Sequence, residues 1–173
     1  MSQKVVFIDR DDTICHNVPY CSNPNDLHLR ESAGRNLFKL KKNGFLLILV
    51  TNQSGISRGF LTEEILSDIH IKLQKDLSKY NVTLDDIFYC PCLPDDKCLN
   101  RKPNTGMFEQ AHEIYDVDFS NSYMLGDMKS DIAAGNDFGL KTILVYKPEN
   151  SGDEDFFAKN LNEAIEWILK EEN

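Results

Sequence analysis

The chain has 173 residues, 41% hydrophobic and 27% charged, which is enough to bury about two-thirds of the unfolded surface in one domain, 1–173. Its 28 acidic residues against 19 basic give a net charge of −9, which argues against nucleic acid as a partner, because such binding rests on a basic surface. No apolar run approaches the roughly 20 residues that span a bilayer, and the N-terminus has no signal-peptide pattern, so no membrane partner and a cytoplasmic location are expected.

Val5–Ile8 reads as a first buried strand. A helix over 32–43 follows, and Gly44 is its stop signal. The apolar run 45–50 is a second strand, after which Thr62-Glu63-Glu64 opens a helix over 62–80 with a capping hydroxyl and acid in the first turn. Residues 87–89 form a third strand and 104–115 a helix; 123–125 form a fourth strand and 129–138 a helix. The fifth strand, 142–145, leads through a polar loop at 148–155 to a last helix over 156–171, where Trp167 sits with Ala164, Ile165 and Ile168 on a core face. His70 and His112 fall in helical patterns and are expected at the surface or partly packed. About five βα units with near-continuous apolar strands predict an α/β fold: a doubly wound parallel sheet with helices on both faces.

In such sheets ligands bind beyond the carboxyl ends of the strands, where strand order reverses. The residues that follow the first four apolar runs are Asp9-Arg10-Asp11-Asp12-Thr13, then Thr51-Asn52-Gln53-Ser54-Gly55, then Cys90-Pro91-Cys92 with Arg101-Lys102-Pro103, then Gly126-Asp127 with Asp131. Asp9 and Asp127 supply hard oxygen ligands suited to Mg²⁺. With its charge offset, Asp9 can attack phosphorus and form an aspartyl phosphate. Asp11, two residues on and expected on the same side of an extended chain, can act as general acid and then base. The Thr51 hydroxyl and the Asn52 N–H can hold phosphoryl oxygens, and Lys102 supplies a fixed positive charge. Each piece alone reads as turn or capping chemistry; the four in order point to phosphoryl transfer from a small phosphorylated metabolite.

At these residues the chain resembles the haloacid-dehalogenase (HAD) superfamily, whose pattern is Asp-x-Asp-x-Thr, a Ser/Thr, a Lys, and Gly-Asp with a following Asp; here these are Asp9, Asp11 and Thr13, Thr51, Lys102, and Gly126-Asp127 with Asp131. The resemblance implies a HAD-like Rossmannoid fold, Asp9 as nucleophile and Asp11 as acid/base. It also implies Mg²⁺ on Asp9, the Asp11 backbone carbonyl and Asp127, with Asp131 behind them. The segments 7–11, 51–59, Cys90-Pro91 and Arg101-Lys102-Pro103 resemble the capless subfamily of heptose-bisphosphate and histidinol-phosphate phosphatases. The 40 positions from Asp11 to Thr51 agree, being too few for an inserted cap domain. By that likeness Arg10, Asn17, Tyr20, Thr51, Asn52, Gln53, Ser54, Arg58, Arg101 and Lys102 are substrate contacts. The implied activity is Mg²⁺-dependent removal of the 7-phosphate from D-glycero-D-manno-heptose 1,7-bisphosphate, with histidinol phosphate or a non-catalytic phosphate-binding role as alternatives, in a monomer or small homo-oligomer.

Two departures from the subfamily stand out. Asp12 occupies a position where Gly is usual; Asp tolerates unusual turn backbones, and its charge is expected to raise the Asp11 pKa. The subfamily's structural zinc uses Cys-x-His and Cys-x-Cys, and the matching positions are Cys90, Cys92, Cys98 and Asn100. Three thiolates remain where zinc usually takes four ligands. Two readings stay open: Zn²⁺ completed by water, Cys21 or His16, or a reduced, metal-free loop shaped by Pro91, Pro94 and Pro103. Either loop would serve to place Arg101 and Lys102.

Overall fold

Six parallel strands make one sheet in the order β3-β2-β1-β4-β5-β6: β1 Val5–Ile8, β2 Leu46–Asn52, β3 Asp86–Cys90, β4 Tyr123–Gly126, β5 Lys141–Val145 and β6 Phe156–Ala158. The computed structural model describes residues 2–171, so the ends of the expected 1–173 domain lie outside the described residues. Among the described residues four α-helices lie between strands, α1 Ala33–Lys42, α2 Glu63–Ser78, α3 Gly106–Tyr115 and α4 Lys129–Phe138, and α5 Leu161–Glu171 follows β6.

The strands are apolar along their length because both sheet faces are covered. Val6, Ile8, Leu47 and Leu49 face α1, α2 and α5 on one side, while Val5, Phe7, Ile48 and Val50 face α3 and α4 on the other. Gly44 takes φ +82 just after α1, the left-handed stop expected of it. The Thr62 hydroxyl accepts from the Ile65 N–H at 3.2 Å and so caps α2 as its sequence indicated.

One element departs from expectation. Residues 156–158 are a sixth strand, pairing Phe156 with Ile143, Phe157 with Leu144 and Ala158 with Val145, and the last helix begins only at Leu161. Stacking of Phe156 on Trp167, with centroids 5.1 Å apart and rings 3° from parallel, secures this short edge strand beyond what its length alone would give. No helix among the described residues is long and apolar enough to cross a membrane.

The chain builds outward from β1 to β3, then returns to the other flank of β1 to build β4 to β6. The reversal opens a crevice between the carboxyl ends of β1 and β4, where this topology binds ligands.

Candidate active site

β1 delivers Asp9 to the mouth of that crevice, with the Asp9 N–H donating to Leu125 O at 3.0 Å. The chain then turns at once: the N–H groups of Ile14 and Cys15 both donate to Arg10 O, at 3.2 and 3.0 Å. Asp12 sits in this turn at φ 58, a conformation that Gly, Asn and Asp adopt far more readily than other residues. Asp11 therefore lies inside a turn, and the extended geometry expected between it and Asp9 is not what brings them together.

Lys102 reaches Asp9 from the far side of the crevice. Its Nζ donates to Asp9 Oδ1 and to Val50 O, both at 2.7 Å, and lies 2.6 Å from Asp131 Oδ1. The residue is 3% exposed and its three N–H donors are all used, so Lys102 is a charge behind Asp9 and not an open substrate contact. Asn52 holds the Lys102 backbone on both sides, accepting from its N–H at 3.1 Å and donating to its carbonyl at 3.0 Å. The Asn52 side chain is thus a strut for the Lys102 backbone as well as part of the cleft wall. Asp131 Oδ2 accepts from the backbone N–H groups of Asp127 (3.2 Å) and Met128 (3.0 Å), which fixes this carboxylate at the positive end of α4.

Asp11 is clamped from two sides. Arg10 donates from Nε to Oδ1 and from its NH2 group to Oδ2, each at 3.0 Å, and Gln53 Nε2 adds a bond to Oδ2 at 3.0 Å. Gln53 Nε2 also donates to Thr51 Oγ1 at 2.8 Å, leaving the threonine its own hydrogen to donate into the crevice. Arg10 is 1% exposed, because its guanidinium turns inward onto Asp11 and its NH1 group lies 3.4 Å from His70 Nε2. The substrate contact expected of the Arg10 side chain is replaced by this internal fork. Burial opposes the Arg10 charge, and Asp11 more than offsets it.

Asp127 completes the centre. Its Oδ1 accepts from the Thr13 hydroxyl at 3.3 Å and its Oδ2 from Lys147 Nζ at 2.6 Å. Lys147 bonds Asp12 Oδ2 as well, at 2.8 Å, and Arg30 lies 3.2 Å from Asp12 Oδ1. Partial burial works against the Asp12 charge, yet Lys147 and Arg30 hold this carboxyl below the usual range. The Asp12 charge is balanced by these two cations. Burial pushes Asp9 up to about 8; Lys102 pulls the other way, and Asp131, Asp11 and Asp127 add to the rise. Burial likewise lifts Asp127, against the opposing pull of Lys147.

Two adjoining clefts open on these groups. One, of about 240 Å³, is lined by Asp9, Thr51, Arg101, Asp127 and Lys147 among others. The second, of about 290 Å³, runs past Ser54 to Tyr20 in the 14–31 loop, and Asp11, Asn17 and Asn52 line both. Arg58 lines neither; it is exposed, behind the Tyr20 ring at 5.9 Å. Tyr20 in turn stacks on Phe60 with centroids 4.6 Å apart.

Ligand oxygens of Asp9, Asp127 and Asp131 lie within 4.8 Å of one another. Such an anionic, all-oxygen set fits a hard divalent cation of the Mg²⁺ kind. Asp131 is the most fully engaged of the three, with Oδ1 on Lys102 and Oδ2 on the Asp127 and Met128 amides, whereas Asp9 is held through Oδ1 by Lys102.

The HAD-hydrolase-like family model matches residues 99–164. A curated relative from Thermoplasma volcanium, named probable D-glycero-D-manno-heptose-1,7-bisphosphate 7-phosphatase, is 42% identical over 72% of this chain and 85% of its own length. A D-glycero-beta-D-manno-heptose-1,7-bisphosphate 7-phosphatase from Haemophilus ducreyi is 40% identical over 82% of each chain. The chain belongs to this HAD-type heptose-bisphosphate phosphatase family. Its fold also matches a crystal structure of D,D-heptose 1,7-bisphosphate phosphatase from B. bronchiseptica complexed with magnesium and phosphate, with a TM-score of 0.90, 28% identity, and coverage of 98% of this chain and 99% of that one.

The cysteine loop of this family member departs from the reduced, metal-free form expected of it. Cys92 and Cys98 are joined as a disulfide, and Cys90 Sγ lies 3.4 Å from Cys98 Sγ. The three sulfurs lie within 4.8 Å of one another. Asn100 is engaged elsewhere, its Oδ1 accepting from Gln110 at 2.9 Å, while Cys21 and His16 are absent from the sulfur cluster. Arg101 donates to Cys92 O at 2.9 Å, which ties the loop to the cleft as expected.

Two participants went unread in the sequence. Lys147 stands just past the fifth apolar run, so the strand-end rule applied to the first four would have found it. His70 is 8% exposed, not at the surface; it follows buried Ile69 and lies four residues past Leu66 and three before Leu73, on the core face of α2.

Proposed function

We propose that the chain is a phosphoric monoester hydrolase acting on a heptose 1,7-bisphosphate at its 7-phosphate, with Asp9 as nucleophile and the whole chain as one domain. The observation that carries this reading is the constellation at the β1/β4 crevice: Asp9 backed by Lys102 at 2.7 Å and facing Asp127, with Asp11 clamped two residues away. The names of the 40–42% identical relatives support the substrate class. The two adjoining clefts suit a ligand with a reacting phosphate and a second polar portion.

Asp9 forms a bond to phosphorus as the bond from phosphorus to the sugar oxygen breaks, and Asp11 gives that oxygen its proton. Asp11 then takes a proton from water as the water attacks the aspartyl phosphate, which frees inorganic phosphate and restores both carboxyls. The Thr51 hydroxyl and nearby main-chain N–H groups donate to the phosphoryl oxygens as charge develops on them. Asp9 and Asp127 would hold Mg²⁺, which when bound supplies charge neutralisation for carboxylate and phosphate together. The magnesium in the B. bronchiseptica structure supports that choice of metal.

When reduced, Cys90, Cys92 and Cys98 would offer three thiolates to Zn²⁺. Metal analysis under reducing conditions tests this: a zinc-to-protein ratio near zero rules the zinc site out. The net charge of −9 supports a small metabolite over nucleic acid, in a monomer or small homo-oligomer. A doubly phosphorylated sugar does not cross a bilayer unaided, which supports a cytoplasmic enzyme.

The decisive experiment is Mg²⁺-dependent phosphate release from heptose 1,7-bisphosphate and from histidinol phosphate, with wild type and Asp9→Asn. Faster release from the heptose ester, abolished in the variant, is expected. Faster release from histidinol phosphate would reassign the substrate, and no release from either by folded wild type would leave a phosphate-binding protein.

A further inference from the structure

Deep beside the site runs a chain of contacts that no step of the chemistry above uses. The Arg10 guanidinium spends its Nε and NH2 groups on Asp11, and its remaining NH1 group faces His70 Nε2 at 3.4 Å. The imidazole is buried, and facing a guanidinium that can only donate, its Nε2 is the acceptor of that N–H. It comes from the middle of α2, an element otherwise packed into the core through Leu66, Ile69, Leu73 and Leu77. A fork onto one carboxylate still leaves the guanidinium free to swing about that contact; a third anchor at the opposite edge of its plane removes the freedom.

We propose that His70 is a positioning residue for catalysis: by anchoring Arg10, it holds the Asp11 carboxyl where it must deliver a proton to the leaving oxygen. The inference rests on the reading of Asp11 as general acid. His70, Tyr89, Glu63, Gln74 and others line a surface cavity of about 440 Å³. A small base can therefore reach His70's place from solvent.

Leaving-group dependence separates this role from a merely structural one. An alkyl phosphate needs its leaving oxygen protonated, whereas p-nitrophenyl phosphate expels a stable anion and needs little help. The quantity kcat/KM reports only steps up to departure of that group. With His70→Ala, kcat/KM for a sugar phosphate should fall about tenfold, the scale of a misplaced catalytic group, while kcat/KM for p-nitrophenyl phosphate stays within about twofold. His70→Gln, whose amide oxygen can accept from Arg10, should keep most of the activity, and added imidazole should restore His70→Ala through the cavity. If His70→Ala does not fold, His70→Leu replaces it and the leaving-group comparison decides.

Asp11→Asn is the control. A leaving-group-selective loss in Asp11→Asn, with an equal loss on both substrates or no loss in the His70 variants, overturns the role of His70. Absence of the selective loss in Asp11→Asn itself overturns the reading of Asp11, and the role of His70 with it.

Discussion

Lys147 Nζ lies 2.8 Å from Asp12 Oδ2, so the loop after the first strand is tied to the loop after the fifth across 135 positions of sequence. Asp12 answers two demands at once: a backbone at φ 58 and a carboxylate between Lys147 and Arg30.

These demands separate by mutation. Asp12→Gly relieves the backbone while losing two partly exposed ion pairs, so its stability should stay within about 1 kcal/mol of wild type. Asp12→Val loses the pairs and forces a β-branched residue into the left-handed region, at a cost of about 2–3 kcal/mol. Urea unfolding of the two variants checks this; a Val variant as stable as the Gly variant would show that the turn carries no strain.

The two lysines at the centre should differ sharply. Lys102 is buried between Asp9 and Asp131, and Lys102→Met leaves two buried carboxylates without their cation, costing about 3–5 kcal/mol of stability and about 100-fold or more in kcat. Lys147 has 29% of its side chain exposed but pairs with buried Asp127, so Lys147→Met should cost less than Lys102→Met, about 1–2 kcal/mol. Urea melts and phosphate release measured side by side test the ranking.

Gly126 matters for what lies next to it. A Cβ there would collide with the Cβ and carboxylate of Asp131, the group that anchors Lys102 and the start of α4. Gly126→Ala should therefore lower kcat by about tenfold or more through a displaced lysine. Its fold should survive, as judged by circular dichroism. Wild-type turnover in this variant would mean that Asp131 can move without consequence.

The pH dependence of stability carries a signature of His70. Burial, and then the Arg10 charge, push this imidazole from 6.5 down to about 3. Between those values the unfolded chain binds a proton that the native state refuses. The stability linked to His70 is thus complete above pH 6.5 and is lost as pH falls toward 3. Between about pH 7.5 and about pH 5 the wild type should lose about 2 kcal/mol more than His70→Gln. Equal losses in urea titrations at the two pH values would mean that the histidine titrates normally.

Much of this architecture was legible because parallel strands buried on both faces must read as unbroken apolar runs, and their polar ends mark the ligand edge. Val5–Ile8 followed by Asp9 and 123–125 followed by Gly126-Asp127 show both signals at once. The strand at 156–158 lacked them: three residues give no periodicity, and they run into a helix whose pattern absorbed them. The site's outline was legible from residue types, whereas the direction of each side chain was not. Arg10 and Asn52 carry groups suited to binding phosphate, yet the fold spends one on Asp11 and the other on the Lys102 backbone. Such internal use depends on contacts far apart in the chain, and local sequence does not encode them.

The stack of Phe156 on Trp167 has a practical side. Trp167 is the chain's one tryptophan, and it sits against the last strand and Tyr123, at the opposite end of β4 from Asp127. Intrinsic fluorescence of this protein is therefore an optical gauge of whether β6 is docked. It should brighten or shift on denaturation and stay silent when phosphate enters the crevice, so ligand titrations need a different reporter.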